Sequence, residues 1–158
     1  MSLTSDLPAV MRSQAFERCP QPDFADSQIF AIPAGSEPDP AAWVRRIFSP
    51  RSTPSPVMAL MAARNVLAPL IGAKSGGAGT FQVDSVAGQE ALVEVRDRHL
   101  DFWAGIAVDP DRNLLQATTV VRFHGWRGRL YFVPVGAVHG PVFRSMIQRA
   151  IRRTAAAG

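Results

Sequence analysis

The chain has 158 residues, 47% of them hydrophobic, and its formal net charge of +4 comes from sixteen arginines and one lysine against thirteen acids. That size and apolar content suit one domain with a single core. No run reaches the roughly 20 apolar residues of a membrane span, and the lone Cys19 excludes an intramolecular disulfide and a cysteine-based zinc site.

The first 25 residues are rich in Pro, Ser, Asp and Gln without a period, and are expected to be a loosely held arm before a single domain over 26–158. Residues 1–14 contain no long apolar run, and Asp6 and Pro8 interrupt what there is; secretion is not expected, and a cytoplasmic location is. "SQIFAIP" at 27–33 alternates as a short strand, closed by Pro33 and Gly35. In "EPDPAAWVRRIFS" at 37–49, Asp39 is placed to cap a helix with Pro40 at its first position, and Trp43, Val44, Ile47 and Phe48 form its apolar face. Three prolines make 50–56 a loop. A second helix is predicted over 57–68, ending near Pro69, and "GAKSGGAGT" at 72–80 reads as a turn. It is not a phosphate loop, because Lys74 precedes the glycine pair and the turn leads from a helix into strands.

From residue 80 the apolar period falls to two. Strands are predicted at 80–86, 90–96, 99–108 and 114–124, with a fifth, "RLYFVPV", at 129–135 after a turn at "GWRG". Short connections make neighbours in an antiparallel meander. After Pro134 and Gly136 a helical stripe of Val142, Phe143, Met146, Ile147, Ala150 and Ile151 runs to the end of the chain. Arg144, Arg149, Arg152 and Arg153 fall on its other side, a solvated face rather than a nucleic-acid surface. Neither a nucleic-acid nor a membrane partner is expected.

On the strand "RHLDFWAGIAVD", Leu100, Phe102, Ala104, Ile106 and Val108 share one face and His99, Asp101, Trp103, Gly105 and Ala107 the other. On 90–96, Glu90, Glu94 and Arg96 oppose Ala91, Val93 and Val95 in the same way. One side of the sheet is therefore read as dry and the other as wet. His99 and Asp101 lie about 7 Å apart along the strand, so they form no dyad, and a cross-strand contact of Asp101 with Arg122 is the cheaper use of both charges.

The order of strand, two helices, a run of strands and a long helix gives an α+β fold: a curved antiparallel sheet with the last helix packed on its concave face. This order resembles the helix-grip fold of the START and polyketide-cyclase (SRPBCC) superfamily. The stretches "RHLDFW", "TTVVRFHGWRGRLYF" and "VHGPVFRSMIQRA" are similar to one bacterial branch of it, a domain-of-unknown-function family, over about residues 25–155. The resemblance implies a pocket between sheet and terminal helix that holds an apolar or amphipathic small molecule, although fold alone does not give function.

The expected ligand-binding wall is Trp43, Met58, Met61, Trp103, Phe123, Tyr131, His139, Phe143 and Met146, aromatic and methionine side chains that suit an irregular pocket. Each of them also serves simply as core. If the pocket belongs to a cyclase-like or hydratase-like enzyme, His99, Asp101, Arg122 or Tyr131 would act as acid, base or carbonyl-polarising donor. If Trp103 instead faces outward, its strand face is an interface for a homodimer. Histidines at 99, 124 and 139 lack metal-ligand spacing, so no metal or other cofactor is expected, and no serine stands in a nucleophile elbow.

Overall fold

A computed structural model of the chain describes residues 13–55 and 81–156. The predicted helix at 57–68, the turn at 72–80 with Lys74, and Met58 and Met61 lie outside the described residues, as do residues 1–12.

The described elements are α1 (Gln14–Arg18), β1 (Phe24–Ala31), α2 (Pro40–Ile47), β2 (Ser85–Ala87), β3 (Glu90–Arg96), β4 (Leu100–Asp109), β5 (Leu114–Phe123) and α3 (Gly125–Ala155). The strands form one antiparallel sheet in the order β1-β5-β4-β3-β2. β2 to β5 make the expected meander, and β1 closes the far edge by pairing with β5, Phe24 opposite Val121 and Phe30 opposite Leu115. With the long terminal helix packed against this curved sheet, the molecule has the α+β helix-grip arrangement.

One face of the sheet carries the main core. Val93, Ala104, Ile106, Val108, Leu115 and Ala117 pack there against Phe143, Met146, Ile147 and Ala150 of α3 and against Trp43, Val44 and Ile47 of α2. Alternation along each strand sends these residues to one side, and the helical period does the same for α3. α2 starts where its cap predicts: the Asp39 carboxylate accepts from Ala41 N at 2.9 Å and Ala42 N at 3.1 Å, with Pro40 first in the helix.

Three expectations need correction. The segment 129–135 is not a strand but part of α3, and "GWRG" is the helix start instead of a turn. β5 is already paired on both edges, by β1 and β4, so a strand following it through a tight turn would find no free edge. The helical period meanwhile places Gly128, Phe132 and His139 on one side, toward the sheet. Pro134 and Pro141 lie inside this helix on exposed positions.

The strand predicted at 80–86 is confined to Ser85–Ala87, and that predicted at 27–33 runs from Phe24 to Ala31.

Residues 13–25 are not a loose arm. Ser13 caps α1, and Ala15 and Cys19 are buried against Leu92, Trp103 and Val120 on the sheet face away from α3. The supposed wet face is therefore roofed by α1, and Glu90 is buried beneath it. Its Oε1 accepts from Ser13 Oγ at 2.6 Å and its Oε2 from Gln14 N at 2.7 Å. Burial pushes the Glu90 carboxyl above its ordinary value even though these hydrogen bonds pull the other way.

Candidate functional site

Where α3 crosses β1 and β5, the apolar seam is interrupted by polar side chains from all three elements. Alternation on β1 points Phe24, Asp26, Gln28 and Phe30 inward. On β5, Thr119 stands opposite Asp26. α3 contributes His139, one helical turn before Phe143.

His139 Nε2 and Thr119 Oγ1 share a hydrogen bond of 3.2 Å. Gln28 Nε2 donates to Asp26 Oδ2 at 2.7 Å and to the carbonyl of Gly140 at 3.2 Å. Its other amide atom, Oε1, is buried with no donor. Aromatic rings enclose the group: Phe24 meets His139 edge-on at 5.8 Å, Phe143 lies 5.4 Å from it, and Phe132 packs on Phe24 at 4.8 Å and Phe123 at 5.0 Å. Burial among these rings lowers the pKa of His139 below the usual histidine value, and the charge of Asp26 opposes the shift without cancelling it. The site thus pairs an imidazole held neutral at pH 7 with an acceptor that lacks a partner.

The predicted residues are spread over several places. Phe123, His139 and Phe143 belong to this seam. Trp43 and Met146 are in the adjoining core, and the Trp43 indole N–H donates to the carbonyl of Glu37 at 2.7 Å. Tyr131 is half-buried on α3 rather than on a strand.

Trp103 is on the opposite face, 4% exposed beneath α1, so the apolar patch expected there for a second copy is covered by the chain's own first helix. Asp101 and Arg122 are opposite each other in the register as expected, but they are not partners. The Asp101 carboxylate pairs with His124 Nε2 at 3.1 Å, and the Arg122 guanidinium reaches the carbonyl of Gln21 at 3.4 Å. His99 lines a shallow cleft of about 280 Å³ with Arg98, His124, Gly125, Trp126 and Arg127. α3 comes this close because residue 128 is glycine: a Cβ there would stand 2.1 Å from the carbonyl oxygen of His99. His99, Asp101 and Arg122 therefore do not converge on His139.

Sequence reasoning missed Phe24, Asp26, Gln28 and Thr119. The alternation of Phe24 with Phe30 carries the signal for the first three, but the strand expected from the sequence begins only at residue 27. Among the described residues no group of three or more His, Cys, Asp or Glu could hold a metal ion, and no helix is long and apolar enough to cross a membrane.

A family model described as "Protein of unknown function (DUF2867)" matches residues 18–146. No curated protein and no solved structure matches the chain.

Proposed function

The chain belongs to this family, and we propose that it binds a small amphipathic molecule in the seam between β1, β5 and α3. The observation that carries the reading is the buried, donorless Oε1 of Gln28 beside His139 in an otherwise aromatic wall. An unsatisfied buried acceptor costs about 1–3 kcal/mol, and a ligand hydroxyl or amide N–H would supply what it lacks. The apolar body of the molecule would then rest on Phe24, Phe132 and Phe143. This reading includes membership of the START and polyketide-cyclase superfamily, which the sheet gripping a long terminal helix supports, and a cytoplasmic location, with which the single unpaired Cys19 accords.

One observation favours a second reading, an enzyme of cyclase or hydratase type. His139 is kept neutral by burial, and a neutral imidazole near a carboxylate is a competent proton acceptor.

The test is titration with an amphipathic fluorophore, anilinonaphthalene sulfonate, together with native mass spectrometry of protein from a bacterial host. Saturable binding at one site, weakened in Gln28→Leu and His139→Phe, is the expected result. Absence of saturable binding, or binding that both variants retain, defeats the proposal.

A further inference from the structure

The first half of α3 has a second apolar face. Trp126, Leu130 and Val133 are 68%, 65% and 69% exposed, and at about 100° per residue they form one ridge with Ala137. This ridge points away from the sheet, nearly opposite Phe132 and His139. Arg127 and Arg129 fall roughly a quarter-turn to either side of it, and both are exposed, Arg129 in a solvent-exposed ion pair with Asp23 at 3.4 Å that competes little with a phosphate. The Arg127 guanidinium lies 5.5 Å from the Trp126 ring. Arg98 approaches the same end of the helix across the cleft. Over its whole length α3 carries six arginines and no acidic residue.

An exposed apolar ridge of this size is not a neutral feature of a surface. A second copy of the chain is a poor match for it, because ridge on ridge would bring together two helices charged alike. A convex ridge with cations on both flanks fits a negatively charged, deformable surface, into which apolar side chains can sink while guanidinium groups stay at the polar boundary. We propose that the ridge Trp126–Leu130–Val133 docks the protein on an anionic lipid bilayer, with Arg127, Arg129 and Arg98 meeting the lipid phosphates. Such docking needs no span, so it revises the expectation of no membrane partner, which rested on the absence of a long apolar run. It is independent of whether the seam at His139 holds a ligand.

Trp126 also supplies the probe, since Trp43 and Trp103 are both buried. The full chain is floated with vesicles of phosphatidylcholine and phosphatidylglycerol and, in parallel, of phosphatidylcholine alone, while tryptophan emission is recorded. The expected result is flotation and a blue shift with the anionic vesicles only, both suppressed by high salt. The pairs Leu130→Ser with Val133→Ser, and Arg98→Glu with Arg127→Glu, each lower partitioning at least about tenfold with an unchanged circular dichroism spectrum. No binding to anionic vesicles, equal binding to neutral ones, or variants that bind like the parent would overturn the proposal. So would sedimentation showing a dimer that Leu130→Ser with Val133→Ser dissociates, because the ridge would then be covered by a second copy.

Discussion

Gly105 and Glu90 are locked together on the face roofed by α1: a Cβ on Gly105 would stand 2.0 Å from Glu90 Oε1 and 2.6 Å from Ser13 Oγ. The glycine is thus the space that the buried carboxylate and its serine donor occupy. Gly105→Ala must expel the carboxylate from both hydrogen bonds or push β3 and β4 apart. A loss of about 2–4 kcal/mol in urea unfolding is expected. Because the displaced group holds the start of α1, Cys19 should become reactive to a thiol reagent well below the unfolding midpoint. A variant as stable as the parent with an unreactive thiol would refute the coupling.

Above the ordinary carboxylate range, the pH dependence of stability follows from two groups of opposite sign. His139 has a lowered pKa in the fold, so the unfolded chain takes up its proton first, near pH 6.5. Stability is complete above that value and falls as pH drops from it toward the folded pKa. Glu90 has a raised pKa, so the folded chain takes up its proton first and stability is regained as pH falls from the folded pKa toward the ordinary glutamate value. Urea midpoints measured against pH should therefore fall below pH 6.5 and flatten down to the ordinary glutamate value, and below it fall again, because Glu94 and Asp109 have carboxyls held below their ordinary values in the fold by Arg96 and Arg112. His139→Phe should erase the first slope, and a slope that persists in it would assign the effect elsewhere.

The Asp39 cap offers a plain stability test. Asp39→Ala frees two helix N–H groups and should cost about 1 kcal/mol. Asp39→Asn should recover most of that. The cap is remote from His139, so fluorophore affinity should not move in either variant.

Asp101 and His124 form an ion pair only when the histidine is charged, and His124 is exposed. His124→Gln should change stability at pH 7 by less than about 1 kcal/mol. A larger loss would mean that the pair organises the β3–β4 turn and the start of α3.

Much of the framework was legible because the period of apolar residues is local. Asp39-Pro40 announced α2, and Ala91, Val93 and Val95 marked their own face of β3. What could not be read locally was decided by pairing. Nothing in "RLYFVPV" says that β1 has already taken the edge of β5, and the β-branched and aromatic content of that stretch favours a strand until that partner is known. Trp103 is the same case: its alternation gave the correct face, but what roofs that face is a five-residue helix nearly ninety positions earlier. Asp26 and Gln28 escaped notice because each looks like a solvated strand residue until α3 is laid over it.

The pairing of Phe24 with Val121 has a kinetic consequence. Its two strands are nearly a hundred residues apart along the chain, so the loop it closes is among the costliest in entropy. During synthesis β1 leaves the ribosome long before β5 exists. Until then the future outer edge of the sheet remains unpaired and open to other chains, which makes the newborn protein most vulnerable to aggregation in the interval before its fifth strand emerges.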